Sequence, residues 1–158
     1  MKLTEGLPFH EKRARRGFTM VEMIIVIVVL GTMLSIALPR ANSGIRQRRI
    51  IAASSALRSD VPVAFSLAAR QRKPVVLTYD AASGELRVTN RAADTVFLRR
   101  PLRSTSEYRL DSVSMSPATV QLLPNGVSSS AFTIRLANGS FVRRLSVGRT
   151  GLSRVAIN

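Results

Sequence analysis

The chain has 158 residues, 46% hydrophobic and 21% charged, which suits one packed domain with an appendage and excludes wholesale disorder. It has no cysteine and one histidine, His10, so a disulfide framework, a thiolate metal site and a cysteine nucleophile are excluded together. The 24 Lys and Arg against 9 Asp and Glu leave a formal charge of +15, which favours acidic partners: nucleic acid, anionic lipid or acidic protein.

Residues 1–17 hold Lys2, Lys12, Arg13, Arg15 and Arg16 against Glu5 and Glu11. From Met23 through Pro39 there is no charge at all. Phe18 to Leu38 as a helix would span ~32 Å at ~1.5 Å per residue, matching a hydrocarbon core of ~30 Å. The basic flank is expected to stay cytoplasmic, which places everything after Arg40 outside the inner leaflet. Ser35-Ile36-Ala37 offers a small-x-small site for a secretory signal, but the apolar stretch exceeds the ~7–15 residues usual there. A plain membrane anchor leaves Glu22 unexplained, since a carboxylate inside a membrane helix costs about 2.5–3.5 kcal/mol on insertion scales.

Residues 40–72 read as helical. Ile45, Ala52, Ala56, Val63 and Leu67 recur at steps of seven and four and predict one narrow apolar stripe, with Arg46, Arg49 and Arg58 largely off it. Pro62 is expected to kink or restart this helix, and Asp60 to cap the restarted segment. From Pro74 the period changes to two. PVVLTYD, ELRVTN, TVFLRR, ATVQLLP, AFTIRLANG and FVRRLSVG read as strands, punctuated by Ser83-Gly84, Pro124-Asn125-Gly126 and Asn138-Gly139. Leu86/Val88, Val96/Leu98, Val120/Leu122 and Phe132/Ile134/Leu136 are the expected inward faces, and 101–118 a loop or edge strand. The fold class is α+β: a long N-terminal helix, its first half membrane-spanning, laid on an antiparallel sheet.

No phosphate loop, zinc pattern or nucleophile elbow is present, so neither an enzyme nor a metal or cofactor site is expected.

The run Arg15-Arg16-Gly17-Phe18-Thr19-Met20-Val21-Glu22, followed at once by an apolar helix, resembles the type III signal of type IV pilins and pseudopilins. The resemblance implies that a prepilin peptidase cuts after Gly17 and N-methylates Phe18. It also implies that Glu22 pairs with the terminal amine of a neighbouring subunit during filament assembly. An acid in the first turn is independently favoured by the helix dipole. Gly31 and Pro39 fall at family positions. Three segments follow: 1–17 a cytoplasmic leader, 18–39 a transmembrane and assembly helix, and 40–158 a periplasmic head. The mature chain would be inserted once in the inner membrane before assembly.

The tail LLPNGVSSSAFTIRLANGSFVRRLSVGRTGLSRV looks like the C-terminal half of the GspH/FimT group of minor pseudopilins and minor pilins. The C-terminal cysteine pair of major pilins and the clustered acids of major pseudopilins are both missing, which implies a minor subunit of a type II secretion or type IV pilus machine. Its partners would be other pilin or pseudopilin subunits.

The alternative is capture of extracellular DNA, as some FimT-like pilins do. Without residues 1–17 the chain keeps 19 of its basic residues against Glu22, Asp60, Asp80, Glu85, Asp94, Glu107 and Asp111. Arg143, Arg144, Arg149 and Arg154 are the candidate phosphate contacts. The DNA-binding members carry a terminal glycine-arginine-x-arginine. Aligned on Gly148, Gly151 stands where the second arginine belongs; aligned on Gly151, Leu152 stands where the first belongs. A third class, a plain anchored or secreted globular protein, needs neither filament nor DNA.

Overall fold

The computed structural model describes residues 17–103 and 106–157, so the leader expected over 1–17 lies outside the described residues except for Gly17. Helix α1 runs Met20–Gln71. Contacts divide the chain between Pro39 and Arg40 into two units, described separately here.

In the first unit α1 starts at Thr19, whose hydroxyl accepts a 3.2 Å hydrogen bond from the Glu22 backbone N–H. Threonine at the cap and glutamate three residues on is the capping-box spacing, which satisfies backbone donors that the first turn leaves orphaned. The helix then crosses Ile24, Ile25, Val26, Ile27, Val28 and Val29, all exposed. Such β-branched residues are mediocre helix formers in water. In lipid the alternative is unpaired backbone polar groups, and helix becomes obligatory. The segment is long and apolar enough to cross a membrane.

In the second unit α1 buries Ile50, Ala53, Leu57, Val61, Ala64 and Ala68. These recur at steps of three and four, as one helix face requires. The stripe expected from sequence is corrected: Ile45 and Val63 are exposed, Ala52 is exposed, and Ala56 and Leu67 lie at the margin. Alanines at 52, 53, 56, 64 and 68 let two neighbouring faces score alike, and only packing separates them. The restart expected at Pro62 is also corrected, because α1 continues through it to Gln71. Asp60 is therefore a mid-helix residue and caps nothing.

Eight strands follow: β1 (Val75–Asp80), β2 (Glu85–Asn90), β3 (Val96–Pro101), β4 (Ser112–Ser116), β5 (Thr119–Leu122), β6 (Phe132–Asn138), β7 (Phe141–Val147) and β8 (Ser153–Ile157). They form two four-stranded antiparallel sheets, ordered β3-β2-β1-β5 and β4-β6-β7-β8. The single sheet expected from sequence thus becomes two, because β1–β5 and β4–β6 pair across long connections that no local period encodes. Strand β8 was not anticipated, and β4 is the edge strand allowed for within 101–118.

Leu86, Val88, Val120, Leu122, Phe132, Ile134 and Leu136 are buried as expected, together with Leu57 and Leu145. Val96 departs from its expected inward place and is exposed. The β2–β3 register shifts between Val88 and Thr89, which takes Val96 out of the inward row.

The tight β1–β2 hairpin has a chemical reason. Asp80 closes β1–β2, its carboxylate accepting from the Ala82 N–H at 3.0 Å and the Ser83 hydroxyl at 2.7 Å. Those bonds, the Ser83 hydroxyl first, hold the Asp80 pKa below the ordinary carboxylate value. Gly84 follows at φ 69°, a left-handed conformation that glycine adopts at no steric cost. An ion pair ties α1 to β3: Arg100 donates from Nε and Nη2 to the two Asp60 oxygens at 2.7 and 2.8 Å. The bonds to Asp60 push the Arg100 pKa above its already high value.

Candidate functional site: the helix start and an arginine face

The first site is the start of α1. Phe18 and Glu22 are both exposed, and Glu22 has no salt-bridge partner among the described residues. The nearest cations in sequence, Arg15 and Arg16, lie outside the described residues. Gly17 and Gly31 have open space where a Cβ would stand. Pro39 sits inside the helix without ending it. What these residues present is one exposed carboxylate, on a residue whose backbone N–H is held by the Thr19 hydroxyl, at the head of an uncharged apolar helix.

The second site is the sheet β4-β6-β7-β8, and it does not gather the four arginines singled out in the sequence. In register, Arg135 of β6 faces Arg144 of β7, Arg144 faces Ala156 of β8, and Ser146 faces Arg154. Cross-strand partners share a face, so Arg135, Arg144 and Arg154 stand together on the outer face. All three are exposed and none makes a salt bridge among the described residues. Arg143 points the other way, its Nη1 3.5 Å from the Ser54 hydroxyl on α1. Arg149 lies in the turn before β8, where its Nε donates to the Ser128 carbonyl at 3.3 Å.

Arg135 was missed by the sequence reading, because it lies within AFTIRLANG, away from the other arginines. Its signal is alternation: buried Phe132, Ile134 and Leu136 force residue 135 outward. The rest of the face is hydroxyl-rich, with Ser112, Ser114 and Ser116 of β4, Thr133 of β6 and Ser146 of β7. Among the described residues, no acidic residue occupies it.

A capped apolar helix bearing one acid without a salt-bridge partner among the described residues, running into a head where that helix packs on antiparallel sheets, defines a pilin-like, membrane-anchored subunit. Residues 12–38 match the family model for the prokaryotic N-terminal methylation motif, and residues 51–151 match that for the type II transport protein GspH. The chain belongs to the GspH family. No curated protein sequence matches it.

Among solved structures the chain is similar to the type IV minor pilin FimU of Pseudomonas aeruginosa, at 16% identity and a TM-score of 0.52. That likeness covers 68% of this chain and 90% of FimU, and it shows the fold. It is also similar to the minor pseudopilin EpsH of the type 2 secretion system of Vibrio cholerae, at 10% identity and a TM-score of 0.48, over 66% of this chain and 94% of EpsH. The family match supports the minor pilin or pseudopilin reading and does not favour the FimT-like DNA alternative.

Proposed function

We propose that the chain is a minor subunit of a type II secretion or type IV pilus machine, held in the inner membrane until it is assembled into a filament. Residues 1–17 are its cytoplasmic leader, removed by a prepilin peptidase after Gly17, with N-methylation of Phe18. Residues 18–39 span the membrane once, and the head from residue 40 is periplasmic. Glu22, with Gly31 and Pro39 along the same helix, serves assembly. The role is structural rather than catalytic.

The observation that carries this reading is Glu22 at the third position of the helix, with no salt-bridge partner among the described residues. A buried carboxylate in lipid is costly and marks function. The new amine of Phe18 on a neighbouring subunit supplies the missing cation, and the shared positive helix end adds to the attraction.

The intact mass of the membrane-extracted protein tests the processing step. Loss of residues 1–17 plus one methyl group is expected. A mature terminus at Leu38 would instead assign the segment to secretory cleavage.

DNA capture through Arg143, Arg144, Arg149 and Arg154 is the weaker reading. Phosphate contacts need cations along one surface, and Arg143 and Arg149 are turned to Ser54 and Ser128.

A further inference from the structure

We propose that the β8 edge and the Arg135–Arg144–Arg154 face form a docking site for an extended acidic segment of another protein, which adds to the sheet as a fifth strand. This goes beyond the assembly reading and does not depend on Glu22.

Two independent observations meet here. One is the row of like charges. Arg135 and Arg144 are directly opposite across β6–β7, and Arg154 is diagonal to Arg144 across β7–β8. Directly opposed like charges destabilise a sheet. The described residues offer no carboxylate to relieve them, so an acid brought from outside is matched to the face. The other is the open edge. Strand β8 ends the order β4-β6-β7-β8, so one side of its backbone donors and acceptors has no strand partner among the described residues. An added strand matches the alternating donors and acceptors of that edge, as in strand addition. Phosphates could take the N–H donors but would leave the carbonyls unpaired, and the face has no aromatic side chain among the described residues on which bases could stack.

The edge also dictates the pattern of the partner. Arg154 and Ala156 point outward, and Ser153, Val155 and Ile157 inward. A strand added beside β8 therefore places alternate residues against Arg154 and against Val155 and Ile157. Ile157 points inward yet is 75% exposed, and Leu152 at the strand's approach is 79% exposed. The favoured partner alternates acidic with apolar residues.

A groove of about 620 Å³ marks the anchor point. Its lining includes Thr133, Ser146 and Arg154, which form one row in register, and Leu152. A carboxylate there meets a guanidinium beside two hydroxyls, with an apolar neighbour against Leu152. A second copy of this chain is disfavoured as the occupant. Antiparallel pairing of two β8 edges would bring their Arg154 side chains into opposition or to within one diagonal.

The test uses the full chain in detergent micelles and a capped eight-residue peptide alternating glutamate and valine. Binding is read by titration, and backbone amide hydrogen exchange reports where the peptide lies. We expect slowed exchange in β8. Affinity should fall about tenfold in Arg154→Glu and about threefold in Arg135→Gln/Arg144→Gln, in line with charge contacts across an interface. A peptide with lysine for glutamate, and one N-methylated on alternate backbone nitrogens, should both fail. Arg154→Gln, which removes charge without reversing it, gives an intermediate loss and guards against a folding artefact.

Equal binding of the lysine or N-methylated peptide, or unchanged affinity in Arg154→Glu, would overturn the proposal. So would a 20-base-pair duplex that binds more tightly than the peptide and is weakened by the same substitutions, since the face would then be a polyanion site.

Discussion

Arg100 of β3 grips Asp60 of α1 through two hydrogen bonds of 2.7 and 2.8 Å, joining the helix to the outermost strand of the first sheet. Asp60 is buried there. This one partner satisfies both of its carboxylate oxygens within a helix of alanines.

Removing one member of such a pair strands the other. Asp60→Ala should destabilise the head by about 3 kcal/mol, near the lower bound for broken buried pairs because Arg100 keeps some solvent access. Replacing both, as Asp60→Leu with Arg100→Met, should recover most of the loss. Thermal unfolding followed by circular dichroism measures both, and equal melting temperatures for Asp60→Ala and wild type would show that the pair contributes nothing.

Asp80 predicts a pH dependence. Its hydrogen bonds to Ser83 and Ala82 lower its pKa on folding, so the folded state holds that proton less tightly than the unfolded chain does. The resulting stability is present above the unfolded carboxylate pKa of ~4 and is lost as pH falls through the folded value. Asp80→Asn should flatten the acid limb of the stability curve and leave its alkaline limb unchanged. Identical acid limbs would mean that the turn bonds do not discriminate between protonation states.

Gly84 should resist substitution for two reasons. Its φ of 69° is left-handed, and a Cβ there would lie 2.7–2.8 Å from the Arg103 side chain. Gly84→Ala is expected to cost about 1–2 kcal/mol, whereas Gly126→Ala, equally left-handed at φ 80° but with open space, should cost about 1 kcal/mol. Urea midpoints compare the two. A ranking reversed from this would place the strain at Gly126.

Much of this was legible in the sequence, and the failures share a cause. The apolar run, the acid at Glu22 in the first turn and the strands around Leu86, Val120 and Ile134 follow from local patterns. The buried face of α1 did not, because alanines populate adjacent faces equally and Ile50 and Leu57 are picked out only by the sheets. Pro62 carries a rule about lost hydrogen bonds that tertiary packing outweighed. Strand pairing is non-local, so neither the second sheet nor the outward alignment of Arg135 with Arg144 could be read before the registers were known. Arg143 and Arg144 are adjacent in sequence and opposite in space, which is the period of a strand.

In the proposed assembly the charge of Glu22 acts on another subunit. Thr19 and Glu22 also have capping-box spacing, and glutamine serves that local role as well as glutamate. Glu22→Gln therefore separates the two. The decisive measurement is the amount of processed subunit in sheared filaments against membranes, for wild type and Glu22→Gln, with leader cleavage checked by mass. Normal cleavage and membrane insertion are expected in Glu22→Gln, with loss of the filament fraction. Filament incorporation equal to wild type would contradict that role and reduce Glu22 to a helix cap.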